Sequence, residues 1–151
     1  MRRISIQEAD FDLVAEIALL TADKKDIGAI VNFIGKVRDI NKDQVTAMTL
    51  EHYPGMTEKT LTKIAKDAES RWQLHGITII HRIGTLVPGD NIALVITASR
   101  HRHDAFAAGE FTMDFIKTKA PFWKKENIGD IERWIESRQT DFDKLTKWKN
   151  S

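Results

Sequence analysis

The sequence predicts an α+β domain with a mainly antiparallel sheet and flanking helices. Segments with a strand-like period of two and segments with helix-like spacing both occur along the 151 residues. They do not follow the regular strand–helix–strand alternation that a parallel sheet requires. No repeat, low-complexity stretch or Pro/Gly-rich linker interrupts the chain. We therefore expect a single domain over residues 1–151.

Apolar spacing defines the elements expected in the first half of the chain. Ile4–Gln7 is predicted as a short strand, and apolar residues then recur at helical spacing over residues 11–20. Gly28–Arg38 and Val45–Tyr53 are rich in β-branched and apolar residues, which predicts two strands. The polar connection between them is short, so we expect these two strands to pair antiparallel.

Two strands and a helix are predicted in the central part of the chain. The helix begins near Thr57, directly after the break at Pro54–Gly55. Gly76–Ile83 and Ile92–Ser99 have the apolar character of buried strands. The turn residues of Val87–Asp90 separate them, because proline presets one backbone angle and glycine admits a positive one.

The last predicted element is a helix that Asp104 opens and Pro121 ends. Four residues are expected to form its apolar face: Phe106, Gly109, Met113 and Ile116. From Phe122 onward the chain is aromatic and basic, and the pattern predicts no further element there.

Composition excludes several classes of function. A formal net charge of +1 gives no overall field that would attract nucleic acid or a membrane surface. The absence of cysteine excludes disulfides, thiolate catalysis and cysteine-bound metals, so any sulfur must arrive on another molecule. No apolar run approaches the roughly 18 residues of a membrane span, and no signal-peptide pattern is present. We expect a cytoplasmic protein.

A basic cluster lies where the strand Ile92–Ser99 is predicted to pass into a helix. Arg100, His101, Arg102 and His103 follow one another there. Free N–H groups at a helix start favour an anion, and arginine adds donors that suit phosphate or carboxylate. The cluster is either an anion site or a solvated loop, and the pattern alone does not separate the two.

A second group of cations surrounds Pro121. Lysines near a helix end usually complement the helix dipole, which is the simpler interpretation of Lys119. A lysine held among apolar groups and other cations has a lowered pKa, so Lys117 could act as base, acid or nucleophile. Phe122 and Trp123 are expected to supply an apolar wall, a flat surface for a planar ring, or ordinary core.

Two further segments carry weaker signals. Lys36 and Arg38 share one face at a predicted strand end, but the surrounding residues lack the glycine spacing of a phosphate-binding P-loop. The acid and base side chains of Glu51–Met56 point to opposite faces, which is typical of a structural turn. The histidines lack the spacing of a zinc site, so we predict neither a metal nor a cofactor.

Four segments together resemble the large, catalytic subunit of molybdopterin synthase in sequence, order and spacing. They are Phe33–Arg38, Leu50–Met56, His81–Gly84 with Pro88–Asp90, and Lys117–Lys125. The resemblance covers residues 28–138 and is most specific in the longest two segments. Nothing is carried over for the first 25 residues or for the tail after Arg138.

The resemblance implies an α/β hammerhead type of α+β fold and a sulfurtransferase activity. Such a subunit forms a homodimer, and each copy binds a small ubiquitin-like sulfur carrier, giving a heterotetramer. The carrier ends in a glycine thiocarboxylate that enters the active site. Two sulfur transfers convert cyclic pyranopterin monophosphate, also called precursor Z, into the dithiolene of molybdopterin, a step in molybdenum cofactor biosynthesis.

The resemblance also implies which residues contact the substrate: Lys36, Val37, Arg38, His101, Arg102, Lys117, Lys124, Lys125, Glu126 and Arg138. In the mechanism that we expect, Arg38, His101 and Arg102 converge on the phosphate, either within one chain or across the dimer. Lys117 is the general acid/base at the carbon that receives sulfur. Lys124 orients the thiocarboxylate or neutralises the carboxylate left after transfer.

Three alternatives remain open at this point. The basic and aromatic residues could form a nucleic-acid-binding module, although the near-zero net charge counts against it. A phosphohydrolase could use the same anion pocket without a protein partner, but recognisable metal ligands are missing. A non-catalytic relative that keeps the fold is the third alternative, and every matched basic position is nonetheless present.

Overall fold

Two four-stranded sheets organise the part of the chain that the computed structural model describes, residues 1–39, 46–128, 131–135 and 142–149. The elements, in chain order, are β1 (Arg2–Gln7), α1 (Leu13–Thr21), β2 (Ala29–Lys36), β3 (Ala47–His52), α2 (Met56–Arg71), β4 (Leu74–Arg82), β5 (Gly84–Leu86), β6 (Asn91–Ser99), α3 (Arg102–Lys119), β7 (Phe122–Ile128), β8 (Ile131–Ile135) and a 3-10 helix (Lys144–Trp148).

The first sheet, sheet A, has the strand order β1-β4-β6-β2. Only the β1–β4 pair is parallel, and the other two pairs are antiparallel. β4 and β6 are buried on both faces because helices cover both sides. Helices α2 and α3 pack on one face around Ile79, Val95 and Phe111, and α1 packs on the other around Leu20 and Leu94. The predicted α+β class is confirmed.

The second sheet, sheet B, has the order β5-β3-β7-β8 and is antiparallel throughout. The prediction that the segment Val45–Tyr53 pairs with Gly28–Arg38 is wrong. β2 pairs with β6 instead, and β3 lies between β5 and β7. The two strands contribute to different cores. β2 packs Ile34 beside the core under α1, whereas β3 buries Leu50 in a separate small core with Val37 and Leu86.

The face of α3 differs from the predicted one. Phe106 is 62% exposed, so its assignment to the apolar face is wrong. Gly109 and Ile116 are buried as predicted, and the small residues Ala105 and Ala108 join them on the buried side. A Cβ added at Gly109 would stand 3.6–3.7 Å from atoms of β6 and β2, which shows how closely the helix lies on the sheet.

The region after Phe122 contains structure that the sequence pattern did not predict. β7 and β8 complete sheet B, and Trp148 from the 3-10 helix is buried in the core of α2 and α3. The Trp148 indole donates to Asp114 at 2.8 Å, and Arg71 donates to the Trp148 carbonyl at 2.9 Å. None of the helices described is both long and apolar enough to cross a membrane.

Candidate active site

Sheet A separates the basic residues into two groups. Lys36, at the end of β2, pairs with Asn91 at the start of β6, whereas Ala29 pairs with Ser99 at the end of β6. Eight residues of extended strand span about 27 Å. We call the edge near Lys36 the lysine end and the edge near Ser99, where Arg100–His103 follow, the arginine end.

Helix α3 returns the chain from the arginine end to the lysine end. It begins at Arg102, beside the last residues of β6, and its 18 residues span about 27 Å. Thr97 near the end of β6 donates to the Ala105 carbonyl in the first turn, which fixes this direction. Lys117 therefore lies in the last turn of α3, at the lysine end.

A buried threonine fixes the chain reversal between α3 and β7. The Thr57 hydroxyl, which is 0% exposed, donates to the Pro121 carbonyl at 3.1 Å. It also accepts from the Tyr53 backbone N–H at 2.9 Å. These bonds join the start of α2 to the reversal, so they set the direction in which β7 carries Lys124 back past Lys117.

His81, near the end of β4, is the buried centre of the lysine end. Its imidazole is 5% exposed and stacks on the Phe122 ring, with centroids 3.7 Å apart and an angle of 16° between the planes. Nδ1 lies 2.9 Å from the Arg82 carbonyl oxygen. The stack joins sheet A to the first residue of β7 in sheet B, although the two residues are far apart in sequence.

The pKa of His81 responds to its burial and to nearby charges. Burial lowers its pKa to about 4, and the charges of Lys124, Lys117 and His52 act in the same direction. The hydrogen bond with Arg82 acts the other way. The two predicted catalytic lysines, which come from α3 and β7, thus lie near enough to the same buried imidazole for their charges to act on it.

The two faces of β7 have different surroundings. Phe122, Lys124 and Glu126 share the face toward sheet A, where Phe122 stacks on His81 and Glu126 is buried. Lys125 points the other way, with Nζ 3.3 Å from a Glu132 carboxylate oxygen. Its predicted substrate contact is therefore not on the side that carries Lys124.

The side chains of the Lys36–Arg38 segment also alternate between solvent and the interior. Lys36 and Arg38 are exposed at the lysine end. Val37 is 2% exposed, its N–H donates to the Asp90 carbonyl at 2.8 Å, and its carbonyl accepts from Gly89 at 2.8 Å. The structure thus gives Val37 a packing role between its two basic neighbours, and its predicted substrate contact stays a prediction.

A second arginine, Arg82, closes the lysine end on the side of the N-terminal loop. Its guanidinium donates to the Glu8 carbonyl at 2.9 and 3.0 Å and to the Asn91 carbonyl at 3.0 Å. Asn91 in turn donates to Asp10, and this bond holds the pKa of Asp10 below its ordinary value. The charge of Lys36 contributes in the same direction.

The arginine end is open by comparison. His101 is the N-cap residue of α3 and Arg102 its first residue, and both side chains are exposed. The Ser99 hydroxyl donates to the His101 carbonyl and orients the backbone there. Arg38 lies at the other end of sheet A, so the predicted convergence of Arg38, His101 and Arg102 is wrong within one chain. Arg138 lies outside the described residues.

An aromatic groove lies on the outer face of sheet B. Trp123 is 43% exposed, so it belongs to the surface rather than to the core, and its ring centroid is 5.7 Å from that of Tyr53. With Trp134, these rings line an open groove of about 530 Å³. Across the described ranges, no group of three or more His, Cys, Asp or Glu residues could hold a metal ion.

Comparison with known proteins identifies the family of the chain. The family described as MoaE protein matches residues 6–119 of the chain. The molybdopterin synthase catalytic subunit of Ralstonia nicotianae is 54% identical over 149 residues, which cover 98% of this chain and 85% of that relative. The chain belongs to the MoaE protein family. The family match includes both ends of sheet A, and the match to this relative extends over nearly all of the chain.

Solved structures of MoaE proteins share the fold. The MoaE protein from Burkholderia ambifaria MC40-6 is 52% identical, with a TM-score of 0.86 and full coverage of both chains. The molybdopterin synthase from Staphylococcus aureus is 32% identical, with a TM-score of 0.80, over 87% of this chain and 95% of that one. The family assignment therefore holds at the level of sequence and at the level of structure.

The sequence did not single out His81, Arg82 and Thr57 as parts of a site. His81 and Arg82 entered only as members of a segment that resembles the family, and Thr57 only as a helix start. Their roles depend on contacts with Phe122, with the N-terminal loop and with Pro121. A buried histidine in an otherwise apolar strand was the one available signal.

Proposed function

We propose that the chain is the catalytic subunit of a molybdopterin synthase. In this reaction, sulfur passes from the thiocarboxylated C-terminus of a small ubiquitin-like subunit to cyclic pyranopterin monophosphate, and two such transfers form the molybdopterin dithiolene. The observation that carries the proposal is that Lys117 of α3 and Lys124 of β7 both lie at the lysine end, where the charges of both lower the pKa of buried His81. Relatives named as catalytic subunits of this enzyme support the same reaction.

Each lysine has a separate task in this proposal. Every transfer forms one carbon–sulfur bond on the substrate, from which an oxygen departs as water, and breaks the carbon–sulfur bond of the carrier thiocarboxylate, where a water molecule supplies the oxygen of the resulting carboxylate. Lys117 exchanges a proton with the carbon that receives sulfur or with its leaving oxygen. Lys124 stabilises the negative charge of the thiocarboxylate and then that of the carboxylate. The absence of cysteine agrees with sulfur that arrives on the carrier.

The phosphate of the substrate requires cationic side chains, and within one chain these lie at opposite ends of sheet A. Lys36 and Arg38 lie near the lysine pair, whereas His101 and Arg102 lie about 27 Å away along sheet A. We therefore assign the second group to a neighbouring copy. A two-fold dimer would bring the arginine end of one copy to the lysine end of the other, twice.

The resulting assembly is a homodimer of this chain with one small sulfur carrier on each copy. Exposed Phe33 and Phe106, on β2 and α3, are apolar surface of the kind that such interfaces cover. We place the reaction in the cytoplasm, where a reducing environment protects a thiocarboxylate from oxidation.

The test is reconstitution of the reaction. The purified chain is mixed with a thiocarboxylated carrier and precursor Z, and molybdopterin is measured after oxidation to a fluorescent pterin. We expect product that depends on all three components, together with a dimer in light scattering. Hydrolysis of the substrate phosphate without the carrier would instead support the phosphohydrolase alternative, and a steep salt dependence of oligonucleotide binding would support the nucleic-acid module.

A further inference from the structure

A set of hydrogen bonds at the lysine end has no part in the proposed mechanism. Its centre is Arg82, the last residue of β4, whose three side-chain nitrogens all donate to main-chain carbonyls. Nε and Nη2 donate to the Glu8 carbonyl at 3.0 and 2.9 Å, and Nη1 donates to the Asn91 carbonyl at 3.0 Å. Arg82 therefore joins the loop after β1 to the first residue of β6. We call Arg82, Asn91 and residues 7–10 the N-terminal clamp.

The loop of the N-terminal clamp is held by further side chains. The Gln7 amide donates to the carbonyls of Ala9 and Asp10 at 2.9 and 3.3 Å. The Asp10 carboxylate accepts from the Phe11 N–H at 2.8 Å and from the Asn91 amide at 3.1 Å. Consecutive loop carbonyls and a carboxylate are thus all hydrogen-bonded by neighbouring side chains, which makes the loop a fixed support rather than a loose connection.

Asn91 is the residue at which the N-terminal clamp meets the predicted phosphate contacts. The pairing of β2 with β6 shifts its register just before Lys36, which lies opposite Asn91. A shift of this kind is a β-bulge, and a bulge changes the direction of the side chains that follow it. The main-chain bonds then continue through Val37, whose N–H donates to the Asp90 carbonyl at 2.8 Å. The directions of Lys36 and Arg38, on either side of buried Val37, therefore depend on where Asn91 is held.

We propose that Arg82 and Asn91 are positioning residues for recognition of the substrate phosphate. They hold the β-bulge from which Lys36 and Arg38 reach this phosphate, and neither needs to touch the substrate. This inference rests on the proposed function, and it adds to that function the support on which two of the phosphate-binding cations stand. If Arg82 contributed only its positive charge to the lysine end, any cation at this position would serve equally well.

The test compares variants of the N-terminal clamp with a control at the other end of β1. Arg82→Lys keeps the positive charge but cannot hold two carbonyls with a planar fork of donors. Asp10→Leu removes the acceptor of the Asn91 amide, whereas Asp10→Asn keeps an acceptor of the same shape. The control is Glu69→Gln, which removes the charge from the two bonds that tie Arg2 of β1 to α2. Each variant is assembled with the thiocarboxylated carrier and assayed with precursor Z.

We expect Arg82→Lys and Asp10→Leu to raise the KM for precursor Z about 5- to 20-fold, while kcat and the KM for the carrier stay within about twofold. This split arises because contacts to the phosphate are made equally in the ground state and the transition state. Asp10→Asn and Glu69→Gln should stay within about twofold of the unmodified protein. Both Asp10 variants lose the same negative charge, so the difference between them reports on the hydrogen bond alone. An unchanged KM in Arg82→Lys, or equal KM values in the two Asp10 variants, would overturn the proposal.

Amide hydrogen exchange measures the effect of the N-terminal clamp without the reaction. The N–H of Val37 donates to Asp90, and we expect it to exchange at least about tenfold faster in Arg82→Lys and in Asp10→Leu than in the unmodified protein. The N–H of Ile96, in the middle of β6, should exchange at an unchanged rate. Equal rates at Val37 in the variants and the unmodified protein would refute the inference.

The two measurements separate the two ways to fail. If Arg82→Lys does not fold, the comparison of Asp10→Leu with Asp10→Asn decides in its place, because these changes lie on the exposed side of the loop. If the unmodified complex makes no molybdopterin, the proposed function fails, whereas the exchange rate at Val37 still shows whether the N-terminal clamp holds the segment.

Discussion

The two ends of sheet A both carry basic residues, but they hold them in opposite ways. At the lysine end, Lys117 and Lys124 come from separate elements and their charges act on one buried imidazole, and hydrogen bonds of Thr57 and Arg82 fix the surrounding backbone. At the arginine end, consecutive residues at a helix start are exposed to solvent.

This difference indicates which end is organised in advance. Catalysis by charge requires groups that are already aimed and desolvated, because flexible groups in water stabilise a transition state poorly. At the lysine end, one chain supplies a fixed backbone and the half-buried Lys124, whereas the Lys117 side chain is exposed. The arginine end offers suitable donors for a phosphate but no enclosing wall, so it requires another surface to become a site. The predictions below test this division of labour, starting from the largest expected effect.

Removal of Lys117 should have the largest effect on activity. Lys117→Ala loses both proton transfer and charge, so we expect kcat to fall by about 10²- to 10⁴-fold, with little change in thermal stability. Lys117→Arg separates the two contributions, because arginine keeps the charge but does not readily lose a proton. Near-normal activity of the arginine variant in the reconstituted assay would mean that Lys117 contributes only its positive charge and transfers no proton. Substantial activity in Lys117→Ala, with the carrier still bound, would shift the catalytic role to Lys124.

The buried histidine should make the lysine end sensitive to acid. The folded state keeps His81 neutral down to a pKa of about 4, whereas the unfolded chain takes up a proton near the ordinary value of 6.5. The unfolded state then binds more protons between these values, so the free energy of unfolding should fall as the pH drops from 6.5 to 4. The full contribution of this group is about 3 kcal/mol.

Urea unfolding at several pH values measures this contribution. His81→Phe has no proton to take up, so its stability relative to the unmodified protein should improve by about that amount between pH 7 and pH 4. His75→Asn, on the same strand, serves as the control. A pH dependence that is the same in His81→Phe and in the unmodified protein would show that the histidine is not held neutral.

Mixed dimers test whether the arginine end of one copy forms part of the active site of the other copy. Loss of hydrogen bonds to a charged group costs about 1.5–3 kcal/mol, so Arg102→Ala should lower activity about 10- to 100-fold. When Arg102→Ala and Lys117→Ala chains are co-expressed, half of the dimers are mixed, and each mixed dimer regains one intact site. We expect about a quarter of the unmodified activity. Absence of recovery in dimers shown to be mixed would mean that both groups act from one chain.

Local patterns could predict where the cations are, but not which of them meet. The break at Pro121 correctly placed Lys117 at a helix end. The return of β7 against β4 could not be predicted, because β7 is held by pairing with β3, more than 60 residues earlier, and by the stack on His81. Long-range contacts of this kind leave no periodic trace in a single sequence.

The buried face of a helix is also difficult to predict from a single sequence. The prediction for α3 correctly included Gly109 but gave weight to the large Phe106, whereas Ala105 and Ala108 are the residues that pack beside Gly109. Close approach of a helix to a sheet favours small residues, which carry little weight in an apolar pattern. Trp148 was missed for the opposite reason, because one buried aromatic residue in a polar segment forms no pattern at all.

The smallest expected effect separates two adjacent lysines. Lys124 and Lys125 leave opposite faces of β7, and Lys125 interacts with Glu132 and with the Trp134 ring on the outer side. Surface ion pairs contribute only about 0–1 kcal/mol, so Lys125→Ala should change kcat by no more than about fivefold and stability only slightly. Lys124→Ala, the matched variant one residue earlier, should lower kcat at least about 100-fold, because it removes a charge aimed at the reacting group. Equal losses in both variants would mean that the outer face of sheet B also contacts the substrate or the carrier, and the lysine end would then extend through the sheet.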